Sequence, residues 1–282
     1  MKKILVPCDF SDSARQAYKF AIDIAAVNSG EVIVVKIIDL TPVYLESLDS
    51  NPYYLHLSSV LKELEDDAWN DFEVFTQAID ARGVKVTFVT EQGSLSQSLL
   101  NQIQKHQADL VVMGTHGVHG LKELLIGSNT EKIVQYSPVP VFVVHHAQKI
   151  SNIRNIVFPT EIDLAQHAMI EKIKALQVFF KARLHLLHIK TPVNEVKKSE
   201  LEMSMQNMAH FYDLVNYTVC VLEENKEEDG IKKFAADLPD SIIAMGTHGN
   251  TGIRHFIAGS IAESIVNHVQ ETVWTYSVGA QP

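Results

Sequence analysis

A glycine-rich segment occurs twice in the chain and has the residue types of an anion-binding loop. Residues 111–134 read VVMGTHGVHGLKELLIGSNTEKIV and residues 243–266 read IAMGTHGNTGIRHFIAGSIAESIV. Glycines let main-chain amides approach a ligand, and a helix that begins at the serine would offer unpaired N–H donors to a phosphate. The shared spacing Gly-x2-Gly-x9-Gly-Ser places Gly114, Gly117, Gly127 and Ser128 in the first copy and Gly246, Gly249, Gly259 and Ser260 in the second.

The same residues also fit purely structural roles. Ser128 with Glu131 and Ser260 with Glu263 have the spacing of capping boxes, which satisfy helix-end donors without any ligand. The glycines could serve tight turns alone. The spacing matches neither the Gly-x4-Gly-Lys-Ser/Thr phosphate loop nor the Gly-x-Gly-x2-Gly dinucleotide fingerprint. The residues alone therefore leave a phosphate site and a pair of turns both open.

An acidic residue, Asp9, follows the first apolar strand of the chain. In an open parallel sheet, ligands bind beyond the carboxyl ends of the strands, where neighbouring crossovers leave in opposite directions. With the strand order 3-2-1-4-5, Asp9 and Gly114 would flank this crevice. A carboxylate there suits ribose hydroxyls, an adenine amino group or a bound Mg²⁺, so the arrangement fits a nucleotide.

Apolar strands alternate with helical segments through the first half. Such strands, joined by helices, indicate a parallel sheet that is covered on both faces. Each half is therefore predicted to be a doubly wound α/β domain. Predicted strands lie in the segment KKILVPCDF and at residues 31–38, 84–89, 109–114 and 139–145. Predicted helices include residues 61–81, 95–106 and 128–136.

The second half repeats this order with one deletion. NIVFPTEID aligns with KILVPCDFS at an offset of 152, whereas Gly246 aligns with Gly114 at an offset of 132. The 20 missing residues map onto 41–60, an excursion that could be a simple elaboration, a lid or a partner surface. We expect two closely packed domains, residues 1–147 and 148–282.

Composition limits the class of protein. Of the 282 residues, 46% are hydrophobic and 21% are charged, and no apolar run is long enough to span a bilayer. The net charge of -10 disfavours nucleic acids and anionic membranes as partners. The cysteines, Cys8 and Cys220, fit a reducing compartment, and MKKILVPCDF lacks the pattern of a secretory signal. We therefore expect a cytoplasmic protein.

The chain resembles tandem universal stress proteins over nearly its whole length. The residues that carry the resemblance are VPCDFS, KIID, the glycine segment, and SPVPVFVV at the end of the first half. The resemblance implies two tandem five-stranded parallel sheets with the order 3-2-1-4-5, of the adenine nucleotide alpha hydrolase-like type. It also implies dimer-like pairing through the last strands and, in the nucleotide-binding branch of the family, ATP as ligand, with Mg²⁺ as a further expectation.

The resemblance assigns roles in the first half. Asp9 and Ile37 would contact the ribose and the adenine. Gly114, Gly117, Gly127 and Ser128 would line the phosphate path with Asn129. Taken alone, Ile37 reads as an ordinary core aliphatic residue.

The second half departs from the family pattern. Glu161 stands where the family has aspartate, and Ile189 takes the place of Ile37. Asp163 adds a second acid, which increases the local repulsion of phosphate. Ile261 removes the amide that Asn129 offers. We therefore expect ATP mainly in the first half, with Gly246, Gly249, Gly259 and Ser260 forming a weaker site.

The last strands of the two halves supply a partner prediction. Val139–Val144 and Thr272–Val278 are apolar segments expected at sheet edges, and an exposed edge is prone to pairing. Pairing them with each other would give an internal pseudo-dimer, whereas a further homodimer stays open.

Other chemistry has less support in the sequence. The thirteen histidines show no strong metal-ligand pattern, and Cys8 is expected to be a buried structural thiol. No catalytic residue is assigned, and at most slow ATP hydrolysis is expected. We therefore predict an ATP-binding regulatory protein of the stress response. The alternative is a nucleotide-independent interaction scaffold formed by the pseudo-dimer.

Overall fold

The computed structural model describes residues 1–39, 54–115, 128–146, 148–248 and 259–278. No helix in these ranges combines the length and the apolar character needed to cross a membrane. The first half contributes the strands β1 Lys3–Pro7, β2 Glu31–Ile38, β3 Lys85–Gln92, β4 Leu110–Gly114 and β5 Val141–Val144. The second half contributes β6 Asn155–Pro159, β7 Arg183–Lys190, β8 Tyr217–Glu223, β9 Ser241–His248 and β10 Thr272–Val278.

The helices alternate with these strands. The first half has α1 Asp12–Asn28, α2 Tyr54–Gln77, α3 Leu95–His106 and α4 Ser128–Tyr136. A short 3-10 helix at Ile150–Asn152 links the halves. The second half has α5 His167–Phe180, α6 Lys198–Phe211, α7 Glu227–Ala236 and α8 Gly259–His268.

All ten strands form one sheet in the order β3-β2-β1-β4-β5-β10-β9-β6-β7-β8. Each half has the predicted order 3-2-1-4-5, with parallel pairing throughout. The halves join where β5 and β10 pair antiparallel, with Phe142 opposite Trp274 and Val143 opposite Val273. The prediction that the last strands pair with each other is therefore confirmed.

Two apolar cores cover the two faces of this sheet, and each core runs through both halves. One contains residues of α1, α2, α5 and α6, and its aromatic centre includes Phe20, Phe142 and Phe180. The other contains residues of α3, α4, α7 and α8 against the opposite strand faces. The crossovers therefore shield both sides of the sheet, as the apolar strands require.

Most predicted elements lie where the structure has them, and their ends differ by a few residues. β2, α3 and α4 have the predicted bounds. The helix predicted over 61–81 begins earlier, at Tyr54, and ends at Gln77. The last seven residues of the 41–60 excursion are therefore helical, while residues 41–53 lie outside the described part of the chain.

Candidate functional site

The turn after β1 holds Asp9 in a defined place. The Cys8 N–H donates to the carbonyl oxygen of Val35 at 2.9 Å, which ties the turn to β2. Phe10 then adopts φ 64°, a left-handed conformation that is uncommon for an aromatic residue. The Ser11 N–H and hydroxyl donate to Asp9 Oδ1 at 3.0 Å and 2.5 Å. The carboxylate is therefore fixed at the end of the central strand.

The same serine starts helix α1. Ser11 Oγ accepts a hydrogen bond from the Ala14 N–H at 3.2 Å, so the side chain acts as the helix N-cap. Its hydroxyl hydrogen points to Asp9 and its lone pair to the helix. This one residue therefore joins the acidic group to the first turn of α1.

Gly114 lets α1 approach the end of β4. A Cβ atom at Gly114 would lie 2.5 Å from the carbonyl oxygen of Ser13 in the first turn of the helix. Gly114 therefore has a packing reason that needs no ligand. The contact also brings the end of β4 beside the turn that carries Asp9, and the predicted contact of Gly114 with a nucleotide stays a prediction.

The corresponding turn after β6 has a different helix start. The Thr160 N–H donates to the carbonyl oxygen of Leu187 at 2.9 Å, and Ile162 has φ 63°, so the backbone of the first half is reproduced. However, α5 begins at His167, and its N-cap Gln166 makes no side-chain capping bond. Asp163 Oδ1 instead accepts from the Ala165 N–H at 2.8 Å in a local turn.

Within the part of the chain that the structure describes, the later start of α5 leaves Gly246 without a close neighbour. The nearest atom to a Cβ at this position would be Met169 Sδ, at 3.9 Å. The first residue of α5, His167, aligns with Arg15, whereas α1 begins at Asp12. Helix α5 therefore starts three residues later, or about 4.5 Å farther along the helix axis. The strand-end crevices of the two halves therefore differ although their turns match.

Ile37 and Ile189 occupy equivalent strand positions but have different surroundings. Ile189 is 7% exposed, and a Cβ at Gly230 in α7 would lie 2.7 Å from its Cδ1 atom. Ser98 takes the place of Gly230 in the first half, and its hydroxyl donates to the carbonyl oxygen of Gln92 at 3.3 Å. Ile37 is only partly buried. An apolar side chain is therefore more available to a ligand in the first half.

Lys36 is a site neighbour that the sequence analysis missed. Its ammonium nitrogen lies 5.1 Å from the ring centroid of Phe10, over the strained turn. In the second half the equivalent His188 uses Nδ1 to bond the carbonyl oxygen of Thr160 at 2.9 Å. The sequence carries no signal for this contact, because Lys36 is adjacent to Ile37 and successive side chains of a strand point to opposite faces of the sheet.

A cavity of about 290 Å³ lies beyond the ends of β7 and β8. Its lining includes Lys190, paired with Glu223 at 3.3 Å, and Glu224, paired with Lys233 at 2.6 Å. Residues 222–230, LEENKEEDG, form an acidic run beside this cavity, and lysines partly neutralise it.

Cys8 is a buried thiol, as expected. It is 5% exposed, and burial raises its pKa to about 12, although a hydrogen bond from the Phe10 backbone opposes that rise. A neutral buried thiol is a poor nucleophile. Among the described residues, no group of three or more histidine, cysteine, aspartate or glutamate side chains could hold a metal ion.

The structure places some of the remaining predicted residues. Ser128 is the first residue of α4 and Gly259 the first of α8, so both glycine segments lead into a helix as expected. Asn129 is exposed, whereas the equivalent Ile261 packs partly against the core. Gly117, Gly127 and Gly249, and the side chains of Ser128 and Ser260, lie outside the described residues.

Comparison with known proteins agrees with the architecture. Residues 1–145 and 152–277 each match the model of the Universal stress protein family. Universal stress protein MJ0531 of Methanocaldococcus jannaschii is 32% identical over 148 residues, covering 52% of this chain and 84% of the relative. Universal stress protein Slr1230 of Synechocystis sp. aligns at 21% identity over 98% of this chain and 100% of its own length. A crystal structure of a universal stress protein from Archaeoglobus fulgidus shares the fold, with a TM-score of 0.75, 18% identity and 98% coverage of both chains.

Proposed function

The chain belongs to the universal stress protein family, and on that premise we propose that it binds ATP, mainly in its first half, as a regulatory protein of the stress response. The two free thiols, Cys8 and Cys220, are compatible with the reducing cytoplasm that this role assumes. The observation that carries the proposal is the fixed position of Asp9 at the carboxyl end of β1, next to the end of β4.

The crevice between β1 and β4 has the topology of a ligand site. β1 pairs with β2 on one side and with β4 on the other, so the chain leaves this point in opposite directions. Asp9 would accept hydrogen bonds from the ribose hydroxyls. The partly buried Ile37 would offer an apolar contact to the adenine ring.

The polyphosphate would be held at the start of α4. A helix N-terminus presents unpaired N–H groups and about half a positive charge, which favours an anion even in a protein of net charge -10. Ser128 begins this helix, and the exposed Asn129 follows it with a further amide donor. Gly117 and Gly127 would let main-chain amides approach the phosphates. Mg²⁺, if bound, would reduce the charge of the phosphates.

The second half fits this ligand less well. Its helix α5 begins farther from the strand end than α1 does, and Ile189 packs against Gly230 instead of facing a ligand. Glu161 and Asp163 place two acids in the turn. We assign the weaker site to Glu161, Ile189, Gly246, Gly249, Gly259 and Ser260.

Binding, and not rapid hydrolysis, is the activity that we propose. Asp9 is an acidic group at the first-half crevice, and Ser11 already donates two hydrogen bonds to it. A carboxylate with this role orients a ligand more readily than it activates water. At most slow turnover of ATP follows.

A matched pair of substitutions tests the proposal. Asp9→Asn keeps the acceptor oxygen for Ser11 but removes the charge, and Glu161→Gln makes the same change in the second half. We expect Asp9→Asn to weaken ATP binding about 10- to 100-fold, since hydrogen bonds to charged groups contribute roughly 1.5–3 kcal/mol. Titration calorimetry with ATP and Mg²⁺ should show a much smaller change for Glu161→Gln. Equal affinity in all three proteins would reject the assignment.

The alternative function is a nucleotide-independent scaffold. The observation in its favour is the continuous sheet through β5 and β10, which joins the halves without any ligand. A wild-type protein that binds neither ATP nor ATP with Mg²⁺ in the same titration would support the scaffold and reject the nucleotide site.

A further inference from the structure

Helix α4 belongs to the first half, but its last turn is held by the second half. The last carbonyl groups of a helix have no partner within the helix. Here the Val134 carbonyl oxygen accepts from the Thr247 hydroxyl at 2.9 Å, and the Gln135 carbonyl oxygen accepts from the Ser277 hydroxyl at 2.9 Å. α4 also packs against β9 and β10, which carry these two hydroxyls.

Both hydroxyls are shielded from water. Thr247 and Ser277 are each 3% exposed, so solvent cannot readily replace them as donors. A buried carbonyl that loses its donor is left without a hydrogen bond, which is costly. The two bonds therefore hold the C-terminal end of α4 against the second half.

The two ends of α4 connect the candidate sites of the halves. Its N-terminal residue, Ser128, begins the proposed phosphate site of the first half. Thr247 follows Gly246 directly, so it lies within the second glycine segment. With nine residues, α4 is a short rod of about 13 Å, and a shift at one end displaces the other.

We propose that Thr247 and Ser277 are positioning residues for the first-half nucleotide site, and that they couple this site to the carboxyl end of β9 in the second half. The inference rests on the proposed ATP binding. ATP bound at the N-terminus of α4 would reduce the motion of the helix. The two hydrogen bonds would transmit this restriction to β9. Because such coupling is reciprocal, a ligand of the second half would change the affinity of the first.

The experiment uses the full chain and two matched substitutions. Thr247→Val removes the hydroxyl that bonds α4. Thr275→Val removes another buried hydroxyl at the same junction, one that lies 3.5 Å from the Val141 carbonyl oxygen in β5. ATP affinity is measured by titration calorimetry, and amide hydrogen exchange of β9 is measured with and without ATP. The Asp9→Asn variant, which should weaken the first-half site, shows which part of the ATP-binding signal comes from the first half.

We expect Thr247→Val to weaken ATP binding about two- to tenfold, the effect of one neutral hydrogen bond, and to abolish the ATP-dependent protection of β9. Thr275→Val should change neither, and Thr247→Ser should restore both. A purely structural role would alter exchange without removing its dependence on ATP.

Three results would overturn the coupling in different ways. If Thr247→Val and Thr275→Val behave alike in both measurements, the coupling is rejected and the ATP site stands. If the wild-type chain binds no ATP, the proposed function falls and the coupling with it. If Thr247→Val does not fold, Ser277→Ala carries the same test, and unchanged affinity and protection in that variant reject the coupling.

Discussion

The turns after β1 and β6 show how one backbone design can support two different crevices. Both turns keep the same bond to the neighbouring strand and the same left-handed residue, at Phe10 and Ile162. The difference lies in the next helix. Ser11 caps α1 at the strand end, whereas α5 has no side-chain cap and starts three residues later. The crevice beside a turn can therefore change shape through a shift of the next helix start while the turn itself remains intact.

The contrast between Gly114 and Gly246 gives the largest expected effect. Gly114→Ala would place Cβ 2.5 Å from a backbone oxygen of α1, which cannot move without displacing the helix. We expect a loss of about 2–3 kcal/mol in the free energy of unfolding, at the upper end for overpacking. Among the described residues, the Cβ of Gly246→Ala meets its nearest atom at 3.9 Å, and the free energy of unfolding should stay within about 1 kcal/mol of the wild type. Urea unfolding followed by circular dichroism measures both, and equal losses would contradict the packing difference.

The doubly wound fold and the internal pairing were predicted from residue patterns, whereas the strand order 3-2-1-4-5 came from the resemblance to universal stress proteins. Apolar strands alternating with helices indicate a doubly wound fold, and two apolar edge strands can cover each other. The late start of α5 was harder to foresee. Asp163 is itself a good N-cap residue, and only the structure shows that its side chain closes a local turn before the helix begins.

The contacts of single side chains were beyond the sequence. Lys36 and Ile37 are adjacent in β2, and nothing in their order shows that the lysine would lie over Phe10. Likewise, the sequence around Gly114 indicates a ligand-binding loop or a turn. The structure shows instead that a Cβ atom at this position would meet the backbone of Ser13. Such contacts depend on tertiary packing between elements that are far apart in sequence.

The helix cap should have the next largest effect. Ser11→Ala removes the hydroxyl that accepts from the Ala14 N–H and donates to Asp9 Oδ1. We therefore expect a loss of about 1–2 kcal/mol in the free energy of unfolding. Asp163→Ala, at the equivalent position, caps no helix and should cost less than about 0.5 kcal/mol. The same urea titration serves here, and a larger loss for Asp163→Ala would reverse the comparison of the two turns.

The thiol beside the first turn gives a comparison at alkaline pH. The pKa of Cys8 is raised by burial from 9.0 to about 12. Since the unfolded chain loses this proton first, the stability from the neutral thiol is complete below pH 9 and is lost as pH rises toward 12. Between pH 8 and pH 10, the free energy of unfolding of the wild type should fall by about 1 kcal/mol more than that of Cys8→Ala. Thr160, the equivalent residue of the second half, has no thiol to titrate. Parallel pH profiles of the two proteins would show that the thiol ionises freely in the folded state.

A chain of side-chain hydrogen bonds through Asn155, His185 and Thr218 in the second half predicts a smaller effect at acidic pH. The Asn155 side-chain amide donates to the Pro239 carbonyl oxygen, so its Oδ1 atom is left to accept from His185 Nε2 at 2.9 Å. His185 Nδ1 then accepts from the Thr218 hydroxyl at 2.8 Å, which defines one neutral tautomer.

Burial lowers the pKa of His185 below its usual 6.5, and the nearby Arg183 lowers it further. The neutral imidazole therefore contributes stability above pH 6.5 that is lost as the pH falls through the lower pKa of the folded state. The equivalent residue of the first half, Ile33, does not titrate. Urea unfolding at pH 7 and at pH 5.5 should show a larger loss for the wild type than for His185→Gln, whose amide keeps one donor and one acceptor. An equal loss in both proteins would mean that protonation of His185 Nδ1 does not affect stability. The acid sensitivity would then arise elsewhere in the protein.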